Sequence, residues 1–203
     1  MNGSAAGIGV RANSDESKAD AMERSGDPLW HPTDLARPIA FRSGRPVTLG
    51  EFVRHVAAAG AHLPSGRSMV DLCEDRYHFL VAYAAALRAR HCVLLPSSRA
   101  EQVVGEVAAA NPGSYVCDDA MIAKALRDVR EEAPGNADVE IAADTTAMIA
   151  FTSGSTGQPK AFPKLWSSVT ASTTRNAASI RRESGLGDHE AAWILATVPP
   201  QHM

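Results

Sequence analysis

The chain has 203 residues, 45% of them apolar, and a formal net charge of −3, so it is long and apolar enough to bury a sizeable core. Its basic residues are scattered along the sequence, which excludes a general attraction to nucleic acid or to an anionic membrane, and any anion site has to be local. The longest apolar run, FLVAYAAAL at 79–87, is nine residues, about half of a bilayer span, and predicts no transmembrane segment.

Residues 1–27 are rich in Gly, Ser, Ala, Asp and Glu without apolar periodicity, a composition that predicts a disordered extension. The opening MNGSAAGIGVR lacks a long apolar core followed by a cleavage site, so no secretory signal is predicted and the cytoplasm is the expected location. From Pro38 the texture changes. PIAF and PVTL read as two short strands around the turn RSGR, and Leu49, Phe52, Val53 and Val56 then repeat at helical spacing up to a stop near Gly60.

MVDLC (69–73) and CVLLP (92–96) are compact apolar runs on either side of a predicted helix over 75–90. Phe79, Leu80, Tyr83 and Leu87 would form the core face of that helix, and the whole reads as a βαβ unit. The alternation goes on with a helix over 99–110, a strand SYVC at 114–117 and a helix over 120–132. The loop PGNAD at 134–138 and a buried-type strand TAMIAF at 146–151 follow. After AFPKL (161–165) come a helix over 166–183 closed by Gly185 and a strand AWILATV at 192–198. Strands separated by helices predict an α/β fold with a largely parallel sheet and flanking helices.

Cys73, Cys92 and Cys117 are odd in number, lack CxxC spacing and sit in or beside apolar strands; they read as reduced, buried thiols. Asp71, Glu74, Asp75 and His78 cluster near a strand end. Their spacing matches no metal-ligand template, so the cluster reads as a solvated helix start with acidic residues in its first turn, and no metal site is predicted. Glu131 and Glu132 read as a solvated helix end, and GxSxG, HExxH and SxxK are absent from the sequence.

The stretch that carries chemistry is TSGSTGQPK, 152–160, which follows the strand at 146–151. The carboxyl end of a strand in an open α/β sheet is where ligands bind. Gly154 and Gly157 permit close backbone approach, so that consecutive N–H groups can face one anion. Ser153, Ser155 and Thr156 add hydroxyl donors, and Lys160 adds a charge suited to phosphate oxygens. A Ser/Gly-rich run can also be a plain flexible linker, but at average residue frequencies the eight fixed residues of TSGSTGxPK arise by chance about once in 10^10 starting points. The Walker pattern GxxxxGK[ST] opens a helix; here Pro159 and Pro163 flank Lys160 and block one. No GxGxxG follows a predicted strand.

These residues resemble the signature of the adenylate-forming (AMP-binding) superfamily, which includes acyl-CoA synthetases, peptide-synthetase adenylation domains and luciferases. PIAF, PVTLGEF, the unit ending in CVLLP and the helix from Arg99 resemble that family's opening segments in the same order. The resemblance implies that residues 28–203 are a partial N-terminal AMP-binding domain, and that the full enzyme joins a carboxylic acid to ATP with Mg²⁺, releases pyrophosphate, and passes the acyl group to the thiol of CoA or of a carrier-protein phosphopantetheine. It assigns Thr152, Ser153, Gly154, Ser155, Thr156, Gly157 and Lys160 to the phosphates, with Lys160 catalytic. In PPQHM it gives His202 a place at the carboxylate site and makes it the other catalytic candidate. The family's Mg²⁺ ligand, adenine and ribose contacts and second catalytic lysine would lie outside these 203 residues, on a continuing or complementing C-terminal chain. His91 stands where the family commonly has Gly. The alternative from a different class is a non-catalytic α/β module that binds an anion or a partner.

Overall fold

The computed structural model describes residues 26–30, 34–129, 139–152, 160–187, 190 and 193. The predicted hairpin is present as β2 (Pro38–Arg42) and β3 (Arg45–Thr48), antiparallel, with Arg42 opposite Arg45. The two-residue turn needs a left-handed backbone at both positions, and Ser43 (φ 49°) and Gly44 (φ 76°) supply it. Thr48 then caps α1 (Leu49–His62), its hydroxyl accepting from the Glu51 N–H at 3.2 Å. The apolar stripe Leu49, Phe52, Val53, Val56 and Ala59 of this helix is buried.

Next come β4 (Ser68–Asp71), α2 (Arg76–Arg88) and β5 (Cys92–Leu95), with β4 and β5 parallel and Met69 opposite Val93. The Asp75 side chain caps α2 by accepting from the N–H groups of Tyr77 and His78, both at 2.9 Å. Buried residues surround most of α2, yet Leu80, expected on its core face, is 43% exposed. Leu80 shares a strip of the helix with Leu87; Leu87 is covered by the cluster of Ile141, Ala147 and Trp166, whose cover does not extend to Leu80. The turn into β5 takes its positive φ at Arg90 (61°), one residue before His91, whose Nδ1 lies 2.8 Å from the Tyr115 hydroxyl.

α3 (Glu101–Ala110), β6 (Ser114–Cys117) and α4 (Asp119–Arg127) follow, with β6 parallel to β4. α4 opens at Asp119, with Asp118 as its cap, and residues 130–132 of the predicted helix lie outside the described residues. The main core joins α1, α2 and α4 to one face of the sheet, while Val107 of α3 packs with Val70, Leu94 and Phe151 in a second cluster.

Two features were not anticipated. Asp27–Pro28 forms β1, antiparallel to β7 (Glu140–Ile141). Asp27, placed by composition in the disordered extension, is therefore part of the fold, anchored further by its carbonyl accepting from Trp166 Nε1 at 3.0 Å. The second is AFPKL. β8 (Thr146–Thr152) runs parallel to β5, and Lys160–Leu165 returns beside it as an antiparallel strand, β9. Among the described residues β9 lies at the sheet edge, where Pro163 is tolerated because an edge strand need not donate on its outer side.

The described residues thus form an α/β fold around a sheet ordered β6-β4-β5-β8-β9, parallel except for β9. α5 (Trp166–Ser184) follows β9 and ends at Gly185, which takes the left-handed conformation (φ 66°) of a helix C-cap. The predicted loop at 134–138 and strand at 192–198 lie outside the described residues, apart from Trp193. Among the described residues no helix is long and apolar enough to cross a membrane.

Candidate functional site

β4, β5 and β8 are parallel, so Asp71, Leu95 and Thr152 mark one edge of the sheet, the carboxyl edge. This is the ligand-binding side of open α/β sheets. Thr152 and Lys160, the two ends of TSGSTGQPK, are aligned partners across β8 and β9, and both are exposed. The Lys160 ammonium sits 5.3 Å from the Phe162 ring centroid, a cation–π arrangement. Lys160 therefore opens a strand, which separates this loop from Walker loops that open a helix. Ser153, Gly154, Ser155, Thr156 and Gly157 lie outside the described residues, as does His202. Of the sequence-derived site, the structure brings together Thr152 and Lys160.

On the same edge, the cluster of Asp71, Glu74, Asp75 and His78 departs from the solvated helix start expected of it. Glu74 and Asp75 are exposed, but Asp71 and His78 are 3% and 7% exposed. The reason is tertiary: α4 brings Asp119 over this turn. Its carboxylate accepts from the N–H groups of Glu74 (2.8 Å) and Asp75 (3.2 Å), and lies 2.9 Å from His78 Nδ1. His78 Nε2 lies 3.1 Å from the Arg42 guanidinium. Arginine only donates, so Nε2 accepts and the ring proton sits on Nδ1, donated to Asp119. Both ring nitrogens are engaged, and no group of three or more His, Cys, Asp or Glu able to hold a metal occurs among the described residues.

Asp71 closes β4. Its Oδ1 accepts from the Cys73 N–H at 3.0 Å, while Oδ2 is buried without a hydrogen-bond partner. Burial pushes its carboxyl up to about 7. Burial by itself raises Asp119 too, but the Glu74 N–H, the His78 ring and the Asp75 N–H outweigh it and hold that carboxyl below its ordinary value. Contact with the Cys117 thiol and burial push the Cys73 thiol far up, and burial pushes Cys92 to about 11. All three cysteines are free, with Cys73 and Cys117 buried and Cys92 half-buried.

A small cavity of about 10 Å³, room for about one water molecule, borders Asp71, lined also by Leu72, Cys73, Phe79, Pro96, Ser98 and Arg99. Sequence reasoning missed Asp71, Asp119 and Arg99 as one assembly. The single available signal was an Asp at the end of an otherwise apolar strand, in MVDLC.

No protein-family model matches the chain, and no curated protein matches it in sequence. Solved structures do resemble it. o-Succinylbenzoate CoA synthetase (MenE) from Bacillus subtilis, in complex with the acyl-adenylate intermediate OSB-AMP, superposes with a TM-score of 0.58 at 16% identity, over 81% of this chain and 48% of that one. Apo MatB from Rhodopseudomonas palustris gives 0.57 at 19% identity, over 73% and 36%. The NpsA N-terminal subdomain from Klebsiella oxytoca, in complex with 3-hydroxyanthranilyl-AMSN, gives 0.51 at 21% identity, over 74% and 39%. The chain spans less than half the length of each of these three structures. It has the fold of the N-terminal region of adenylate-forming enzymes.

Proposed function

We propose that the chain is the N-terminal portion of an ATP-dependent carboxylic acid ligase that forms an acyl-adenylate and then a thioester. The observation that carries this reading is the alignment of Thr152 with Lys160, the two ends of the signature TSGSTGQPK, at the carboxyl end of a parallel strand. In this reading Thr152, Ser153, Gly154, Ser155, Thr156 and Gly157 hold the β- and γ-phosphates of ATP through N–H and hydroxyl donors. Lys160 neutralises the charge that grows on the departing pyrophosphate, so the loop works by positioning and charge stabilisation. His202 borders the carboxylate of the acid substrate.

The donor set suits a polyphosphate: Lys160 and Thr152 are exposed on the ligand-binding edge, within reach of an incoming anion. Mg²⁺, which pairs with the phosphates during transfer, would take its protein ligands from outside this chain, as would adenine. The thiol acceptor is CoA or a carrier-protein phosphopantetheine. The chain by itself is not expected to turn over ATP; a continuing or complementing C-terminal segment would complete the site. Among the described residues β9 is an exposed edge strand, followed by α5 with Trp166 as its buried residue; this supports such a covering segment, and equally serves the second reading, a non-catalytic module that binds an anion and a partner.

ATP–pyrophosphate exchange with a panel of carboxylic acids, run on the chain extended or complemented by its C-terminal portion, tests the proposal. Acid-dependent exchange supports it, and a complemented protein that exchanges with no carboxylic acid removes it in favour of the binding module.

A further inference from the structure

The Asp71 carboxylate and the Arg99 guanidinium line one cavity, yet they are not paired. Arg99 Nη1 is held 2.8 Å from Glu74 Oε1, a carboxylate whose side chain is 76% exposed. Asp71 Oδ2 is buried with no partner. An exposed ion pair contributes little, whereas a buried carboxylate without a partner is costly once it ionises. The stronger claim on Arg99 is therefore the one it does not serve here.

We propose that Arg99 is a two-position guanidinium, held by Glu74 while Asp71 carries a proton and swung across the small cavity they both line towards Asp71 Oδ2 when Asp71 ionises. The other described groups around Asp71 supply no cation. Cys73 gives its N–H to Oδ1 and its thiol adds only a weak hydrogen bond to the carboxyl, Tyr115 and Cys117 of β6 bring no cation, Asp75 caps α2, and Asp119 is itself acidic and engaged with His78 and the Glu74 and Asp75 N–H groups. Burial, which pushes Asp71 up to about 7, puts the exchange near neutral pH. Arg99 directly precedes Ala100, the cap residue of α3, which makes no side-chain cap and whose N–H is held by Ser98 Oγ at 3.1 Å. Arg99 lies on the β5–α3 connection, at the sheet edge that carries Thr152.

The test is a carboxyl ¹³C NMR titration of Asp71 in the 203-residue chain labelled at aspartate, with Arg99 Nε followed in parallel. Arg99→Met is expected to raise the Asp71 midpoint by about one pH unit, a tenfold change in proton affinity, and Arg99 Nε is expected to shift with the Asp71 midpoint. Glu74→Gln frees Arg99 and is expected to lower that midpoint, an effect lost in the Glu74→Gln, Arg99→Met double variant. An unchanged midpoint in Arg99→Met, an Arg99 signal that ignores Asp71, or the same effect of Glu74→Gln with and without Arg99 each overturns the proposal; the last would be ordinary charge repulsion.

Discussion

His78 Nδ1 and Asp119 Oδ1, 41 residues apart in sequence, meet at 2.9 Å, and this pair ties the start of α4 to the start of α2. The same Asp119 carboxylate takes the N–H groups of Glu74 and Asp75, so one side chain holds the connection between β4 and α2. Asp119→Ala is expected to cost about 1–2 kcal/mol, from lost charge-assisted hydrogen bonds discounted for partial exposure. Its neighbours hold the Asp119 carboxyl below the ordinary 3.8. Its contribution is therefore present above about pH 4 and is lost as pH falls further. Urea unfolding of both proteins at pH 7 and at pH 3 measures this, with the difference between them shrinking in acid.

Asp71 has the opposite sign. Its folded value near 7 lies above the ordinary 3.8, so its effect is most favourable below about pH 4 and is lost as pH rises through 7. The loss is at most ~1.4 kcal/mol per pH unit in that window. Asn keeps an oxygen for the Cys73 N–H and never ionises. Asp71→Asn is expected to be more stable than wild type at pH 8 and no more stable at pH 4, read from the difference between the two unfolding curves.

Gly185→Ala places a Cβ in a left-handed backbone with open space around it. The cost is conformational, about 1 kcal/mol, and is expected as a lowered urea midpoint with an unchanged slope.

Cys73 and Cys117 are buried, and Cys92 is half-buried with its thiol pushed to about 11. Inert thiols of this kind are expected to react with a disulfide reagent far more slowly in the native chain than in denaturant. Three thiols should be titrated once unfolded and none missing as a disulfide. Rapid native labelling of Cys73 would contradict the packing described.

Lys160→Ala in the complemented protein is expected to slow ATP–pyrophosphate exchange by ten- to a hundredfold, the scale of losing one charge-assisted contact to a phosphate, with thioester formation from a preformed adenylate less affected. An unchanged exchange rate removes Lys160 from the proposed chemistry.

The strands of the parallel sheet were legible because burial on both faces writes them as continuous apolar runs, MVDLC and CVLL among them, and the hairpin because Ser43 and Gly44 suit its turn. β9 was not, since KAFPKL is exposed along its whole length and carries a proline, so neither periodicity nor composition marks it; it is a strand because β8 offers it an edge. Leu80 followed the helical period correctly but lacked a covering neighbour. The assembly of Asp71, His78, Arg99 and Asp119 depends on contacts between elements up to 48 residues apart in sequence, beyond the reach of any local pattern. The signature at 152–160 was legible as chemistry through the order of its residues.

The bond from Trp166 to the Asp27 carbonyl spans 139 positions, and Thr170 adds a second link to the Asp27 carboxylate. At synthesis rates of about 5–20 residues per second, Asp27 waits roughly 7–28 s after it is made before Trp166 exists. During that time α1, α2 and α4 can already pack on β4 and β5, which depend only on chain already produced. The short strand β1 thus has β7 as its partner before its Trp166 and Thr170 anchors exist, and a stalled nascent chain ending before Trp166 should be cut at Asp27–Pro28 more readily than in the βαβ unit.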